Sequence, residues 1–226
     1  MTDGVRIDLH VHAQWSPDSR LTLEAIVGRL SYVGLRGFAL TDHNTVAGHA
    51  ALAELRTRHP EYLYLPGVEV SAREGHLLGF GVGEAPPPHR PVAETVEWIE
   101  ARGGVAVIAH PYRWTHGVGR KVASQARVRA LESRNGHNSE IANAKAELTA
   151  AQRQLATTGG SDAHDLGDLG RAFTEWTEPA ETADELLESL RRGRTKADGL
   201  SLALPGRVRW STRTMLRFVS RGFRPL

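Results

Sequence analysis

The sequence predicts an α/β protein whose sheet is parallel and closed into a (β/α) barrel of about seven strands. Two observations carry this. Short apolar strand segments alternate with amphipathic helical segments along most of the chain, the pattern of a parallel sheet. In addition, the clustered ionisable residues fall on the first strand or at the C-terminal ends of later ones. In a closed barrel those ends surround one mouth, so residues distant in sequence meet there. An open doubly wound sheet would spread them along an edge, most of them far from the switch point. With 226 residues, 40% hydrophobic and 24% charged, one domain with one sizeable core is expected.

The first strand runs through Val5 and Ile7 into Asp8-Leu9-His10-Val11-His12. Strict strand alternation would put Asp8, His10 and His12 on one face, about 6.5 to 7 Å apart. After a Ser16-Pro17-Asp18-Ser19 turn, Leu23, Ile26, Val27 and Leu30 follow helical spacing up to Gly34. Gly37 to Thr41 is the second strand, with Asp42-His43-Asn44 at its end, where Asn44 can cap a helix from about Thr45 to His59. Leu63 to Val70 is the third strand and closes on Gly67-Val68-Glu69; His76 to Val82 is another, after a glycine-containing turn.

Residues 83–91 contain Pro86-Pro87-Pro88 and read as a connector, after which the alternation resumes. Val92, Val96 and Ile99 mark a helix, and Val105 to Ala109 a strand ending on His110-Pro111. Residues 113–129 are rich in Gly, Ser and basic groups and carry no clear pattern. A short strand follows near Ala130 to Glu132, then a helix spaced by Ile141, Leu148 and Leu155. A strand then enters Gly159-Gly160-Ser161-Asp162-Ala163-His164. Phe173 to Thr177 supplies the last strand, and Ala183, Leu186, Leu187 and Leu190 the last core helix.

Composition excludes several chemistries. The chain has no cysteine, so disulfides, thiolate catalysis and cysteine zinc sites are out, and any metal must be held by His, Asp and Glu. No apolar run approaches the roughly 18 residues of a membrane span, and the N-terminus has no signal-peptide pattern, so a cytoplasmic protein is expected. No Gly-rich phosphate loop is present. Net charge is only +2, but residues 199–226 hold six arginines (207, 209, 213, 217, 221 and 224) and no acidic residue. The chain therefore divides into a catalytic barrel at 1–198 and a basic tail at 199–226. The tail is expected to be helical and docked on the barrel or a partner, and is also suited to attract nucleic acid.

Nine residues are candidate metal ligands: His10, His12, Asp18, His43, Glu69, His110, His137, Asp162 and His164. Of the eleven histidines, six belong to this set and lie on the first strand, at strand ends or in the loops just after them. His49, His59, His89 and His116 read as surface residues, and His76 is undecided. In order along the chain, Asp8-Leu-His-Val-His12, Thr41-Asp-His-Asn44, Gly67-Val-Glu69, Ala109-His-Pro111 and Gly160-Ser-Asp-Ala-His164 resemble the motif series of the PHP (polymerase and histidinol phosphatase) family, over residues 5–175.

That resemblance implies a distorted (β/α)7 TIM-like barrel, the PHP fold, with two or three divalent metal ions, Zn, Mn or Fe. Carried over motif by motif, His10, His12, Glu69 and Asp162 would hold the first metal. Glu69 would bridge to a second held by His110, while Asp18, His43 and His164 would hold a third. Where several family members supply a further ligand after strand five, this chain has Asn135-Gly136-His137-Asn138 instead of Asn-Gly-Arg-Asn. His137 thus completes the second metal, contacts substrate, or leaves the second site weak.

The expected activity is hydrolysis of a small phosphomonoester or nucleotide, histidinol-phosphate-like or a nucleoside phosphate, by a hydroxide shared between metals. Paired divalent ions supply both charge neutralisation and a strong nucleophile. Glu69, His10, His12, Asp162 and His164 are the expected catalytic group. Arg113 and Arg171 are expected on substrate phosphate, and Asp8 and Asp42 as supports that orient imidazoles. The alternatives are exonuclease-like hydrolysis of DNA or RNA ends, an amidohydrolase, and a non-catalytic regulatory barrel.

Overall fold

A computed structural model describes residues 4–202 together with Thr212, Met215 and Val219. The basic tail expected at 199–226 therefore lies largely outside the described residues. Among the described residues the nine strands are β1 (Val5–Val11), β2 (Gly37–Leu40), β3 (Leu63–Ser71), β4 (His76–Phe80), β5 (Val105–Ile108), β6 (Ala130–Asn135), β7 (Ala156–Gly160), β8 (Ala172–Trp176) and β9 (Thr195–Gly199). The helices are α1 (Leu23–Leu30), α2 (His49–Arg58), α3 (Val92–Ala101), α4 (Gly119–Gln125), α5 (Glu140–Arg153) and α6 (Ala183–Arg191).

Strands β1 to β7 stand in sequence order round one sheet, and the β8–β9 hairpin is added on the far side of β1. The barrel is nearly closed. At the mouth, His12 N–H donates to Ala163 O (3.0 Å) and Ala163 N–H to His10 O (3.3 Å), joining the end of β1 to the segment after β7. Farther along, Thr174 Oγ1 of β8 accepts from Gly159 N–H (2.8 Å). Closure depends on missing side chains: a Cβ on Gly160 would stand 2.3 Å from His10 Cβ.

The sheet is mixed, where alternation predicts a parallel one. β4 pairs antiparallel with both β3 and β5. Only residues 72–75 separate β3 from β4, and so short a turn can join only antiparallel neighbours. The reversal puts the first residue of β4, His76, at the same end of the barrel as the last residues of β3 and β5.

An apolar plug fills the interior below that end. Ile7, Leu9, Ala39, Leu65, Leu78, Val107 and Ala130 pack together with Leu186, Leu187 and Leu190 of α6. Two outer layers surround the sheet, one under α1 and α2 (Phe38, Leu40, Ile26, Leu55) and one under α3 to α5 (Val68, Ile99, Ile108, Ala150). Helix α6 is fixed by a capping box, Thr182 with Glu185, and by an apolar stripe at Leu186, Leu187 and Leu190.

Three local expectations are corrected. Helix α2 starts at His49 with Gly48 as its N-cap, and Asn44 does not cap it; its Oδ1 accepts from Ser71 N–H (2.8 Å). On α5 the buried face is Ala142, Asn143, Ala146, Thr149 and Ala150, whereas Ile141 and Leu148 are 71% and 59% exposed. Spacing alone chose the wrong face, because close packing of α5 against β6 selects small residues over large ones. Strand β9 has the polar sequence Thr-Lys-Ala-Asp-Gly and carries no apolar signal; its pairing with β8 defines it.

Candidate metal centre

The first strand does not keep strict alternation. Pairing of β1 with β2 is irregular between Asp8 and Val11. Before the irregularity Ile7 and Leu9 face the inner plug, and after it Val11 joins the outer layer with α1. A bulge places two successive residues on one side. His10 and His12 therefore face the mouth, and Asp8 faces away from them, contrary to the shared face expected from period two.

At the mouth, His10, His12, Glu69 and Asp162 bring one ligand atom each within 4.8 Å of one another, all buried. Equally close together are ligand atoms of His12, His43 and His164; of His43, Glu69 and His76; and of His137, Asp162 and His164. Glu69 is the hub. Its Oε2 lies 3.2 Å from His10 Nε2, 3.2 Å from His12 Nε2 and 3.1 Å from His43 Nδ1. Its Oε1 lies 2.9 Å from His110 Nε2 and 2.7 Å from His76 Nδ1. Asp162 Oδ1 stands 3.3 Å from His12 Nε2, and Asp18 Oδ2 stands 3.2 Å from His164 Nε2 and 3.6 Å from His43 Nε2.

Among the described clusters His137 groups with Asp162 and His164. Its Nε2 is 3.3 Å from Asp168 Oδ2, and one of its ring nitrogens lies within 4.8 Å of ligand atoms of Asp162 and His164. Arg113, 12% exposed at the rim, donates to Asp162 Oδ2 (2.6 Å), Asn135 Oδ1 (2.7 Å) and Asn138 Oδ1 (3.1 Å). Arg171 is farther out, with Nη2 3.7 Å from Asp168 Oδ1.

The orienting groups differ from those expected. Asp8 accepts backbone N–H groups of Ser161 (2.8 Å), Gly170 (3.0 Å) and His10 (3.2 Å), and Asp42 those of Ala13 (2.8 Å) and Ser16 (3.0 Å). Both hold loops, and neither touches an imidazole in these bonds. The rings are held by other partners: His10 Nδ1–H donates to Glu132 Oε1 (2.9 Å), His12 Nδ1 bonds Ser16 Oγ (3.0 Å), and His164 Nδ1–H donates to Asp162 O (2.8 Å). Glu132 also accepts from His110 N–H (2.7 Å) and Asn135 Nδ2 (3.0 Å), so one buried carboxylate positions both His10 and His110.

Sequence reasoning passed over Glu132 and left His76 undecided. A carboxylate two places after Ala130 on a buried strand was the available signal for Glu132. For His76 it was the four-residue turn before β4. Backbone geometry marks the same region: Asn44, His110 and Asp162 all have positive φ (54°, 27° and 58°), a conformation retained where surrounding structure enforces it.

Burial disfavours charge on every group here, yet the carboxylates stay ionised. Glu69 and Asp162 are both held well below the usual carboxylate range, Glu69 chiefly by His10 and His43, Asp162 by His10 and Arg113. Reciprocally, carboxylates outweigh burial at His12, raised to about 10 by Asp162 and Glu69, and raise His10 well above its ordinary value. His110 is held well down by burial and Arg113. Positive charge is thus required among these carboxylates. Meanwhile His10 Nε2, His12 Nε2, His43 Nδ1 and His164 Nε2 are buried without a hydrogen-bond partner while facing carboxylate oxygens. Divalent cations fit both observations, and this donor set of imidazole and carboxylate suits Zn, Mn or Fe.

Asp8 lies outside the ligand cluster and yields a pH test. Burial pushes its carboxyl up from 3.8 to about 6 despite the three amides. The folded state therefore keeps the proton to higher pH than the unfolded chain, and stability contributed by the neutral acid is lost as pH rises from about 4 through 6. Asp8→Asn mimics the neutral acid. Relative to wild type, its unfolding free energy is expected to rise by about 3 kcal/mol across that window, measured by urea titration of metal-free protein. A flat difference would contradict a raised Asp8.

A family model described as PHP-associated matches residues 140–195. An uncharacterized protein of Methanocaldococcus jannaschii is 30% identical over 118 residues, which cover 48% of this chain and 68% of that protein. The phosphoribosyl 1,2-cyclic phosphate 1,2-diphosphodiesterase of Eggerthella lenta is 38% identical over 86 residues, 35% of this chain and 32% of that enzyme, so the match spans only about a third of it. Among solved structures, a two-domain protein of Bacteroides vulgatus containing a predicted PHP-like metal-dependent phosphoesterase superposes with a TM-score of 0.67 at 17% identity, over 86% of this chain and 64% of that one. Its fold is the one described above. From the five motifs, the barrel that gathers them and these matches, the chain belongs to the polymerase and histidinol phosphatase (PHP) family.

Proposed function

We propose that the protein hydrolyses a small phosphomonoester or nucleotide at the mouth of the barrel, with two or three divalent metal ions. The observation that carries this reading is Glu69: its two oxygens face two different sets of buried imidazoles, His10, His12 and His43 on one side and His76 and His110 on the other. A carboxylate so placed suits a bridge between two cations. His10, His12, Glu69 and Asp162 would hold the first and Glu69 and His110 the second, with His76 a better-placed companion than His137. Asp18, His43 and His164 would hold a third.

When bound, the ions supply charge neutralisation for the phosphoryl group and a water of lowered pKa. The chain's own groups do the rest. Glu132 and Ser16 lock the ring orientations of His10 and His12. Arg113, beside Asp162, would take non-bridging phosphate oxygens, a contact suited to a forked guanidinium. The apolar plug beneath the cluster keeps water from entering through the barrel floor, so charge interactions at the mouth act in a poorly screened setting.

Among the described residues no helix is long and apolar enough to cross a membrane. The deciding experiment is a panel of phosphomonoesters, mononucleotides, short oligonucleotides and amide substrates, assayed with Mn- and Zn-loaded protein. Metal-dependent phosphate release from a monoester or mononucleotide is expected. Turnover confined to oligonucleotide ends would replace it with the exonuclease reading, turnover of amides alone with the amidohydrolase reading, and no turnover at all with a regulatory barrel.

A further inference from the structure

The loop from Pro111 to Val118, between β5 and α4, is pinned on both sides. Arg113 N–H donates to His110 O (3.0 Å), Gly119 N–H to Pro111 O (3.0 Å) and His76 N–H to His116 O (2.9 Å). Its turn is closed so tightly that a Cβ on Gly117 would lie 2.5 Å from Arg113 O and 2.8 Å from Arg113 N. Residues on either side of Trp114 reach the ligand cluster. Arg113 donates to Asp162, and the His116 ring stacks on His76 with centroids 4.6 Å apart. At about 3.8 Å per residue the Trp114 backbone is within about 8 Å of both of theirs.

Trp114 itself is 99% exposed. Its indole covers no part of the core, although the loop that carries it is tied down by these backbone bonds. The other exposed large apolar residues described are Tyr32, Ile141, Leu148, Leu200, Met215 and Val219. A held, uncovered indole one residue from the candidate phosphate arginine has the layout of a stacking platform. Planar rings stack on such surfaces whatever their hydrogen-bonding edges, and a bare sugar or alkyl group gains far less.

We infer that Trp114 is the platform for a nucleobase, so that the preferred substrate is a nucleotide and not a sugar or alkyl phosphate. This deepens the phosphoesterase reading and rests on it for the reaction, but not for the binding of the base. The test compares wild type, Trp114→Phe and Trp114→Ala, each as the full chain loaded with Mn and, in parallel, with Zn. The substrates are adenosine 5′-monophosphate and ribose 5-phosphate, and adenosine is the uncleavable ligand.

Trp114→Ala is expected to lower kcat/KM for adenosine 5′-monophosphate by roughly 5- to 100-fold, with ribose 5-phosphate changed less than about twofold and Trp114→Phe intermediate. Adenosine, but not ribose, should quench tryptophan emission of the wild-type Zn-loaded protein, and the quench should vanish in Trp114→Phe. Equal losses on both esters, or no preference of the wild type for the nucleotide, would overturn the platform. If neither ester releases phosphate, the wider substrate panel decides the reaction, and the adenosine quench still decides the platform: its presence supports a base site, its absence removes it.

Discussion

Glu69→Gln is expected to abolish metal-dependent phosphate release, by about a thousandfold or more, with little change in far-ultraviolet circular dichroism. The magnitude follows from the several kcal/mol that correctly held metal ions contribute to a phosphoryl transition state, at 1.36 kcal/mol per factor of ten. Gln has nearly the shape of Glu, so the buried space at the barrel mouth stays filled. It presents one amide oxygen and one amide NH2 in place of two anionic oxygens, so a face now turned to imidazoles becomes a donor. Metal stoichiometry, measured by elemental analysis after gel filtration, should fall in parallel. Full activity with a full metal complement would remove Glu69 from the bridging position.

Glu132→Ala tests a residue that acts through others. Its carboxylate touches His10 Nδ1, His110 N–H and Asn135 Nδ2. Removing it frees the His10 ring to turn and leaves buried donors without partners, at about 1–3 kcal/mol each. Metal affinity is expected to drop by about 10- to 100-fold, the range found when partners of metal-binding imidazoles are removed. Because the effect is on holding the metal, excess metal should restore much of kcat in Glu132→Ala and none in Glu69→Gln. A loss in Glu132→Ala that excess metal does not touch would argue for direct contact with substrate.

Much of the site was legible because ionisable residues are expensive to bury, so imidazoles and carboxylates recurring where strands end call for a shared purpose. His10, His12, His43, Glu69, His110, Asp162 and His164 stood out on that ground, and the structure gathers them at one mouth. Glu132 did not, since it lies within a strand and its role exists only relative to two rings from other strands. His76 was hidden by direction. The rule that functional groups lie at C-terminal strand ends holds for parallel strands, and β4 runs the other way. Asp8 misled for a related reason: period two is a property of a regular strand, and the irregularity in β1 turns His10 and His12 to the face opposite Asp8.

By itself the sequence determined the alternation of strands and helices, the cysteine-free donor chemistry and the motif series that resembles the PHP family. These depend on residue type and spacing along the chain, which are local. Only the tertiary structure decided the face of α5 that is buried, the pairing that makes Thr195–Gly199 a strand, and the division of Glu69's two oxygens between two groups of rings. Each of these depends on how near one element comes to another, and no period in a single chain encodes that distance. The opening stretch Asp8 to His12 shows both sides. Its residue types announced a polar site, but a bulge set by pairing with β2 determined which of its side chains enter.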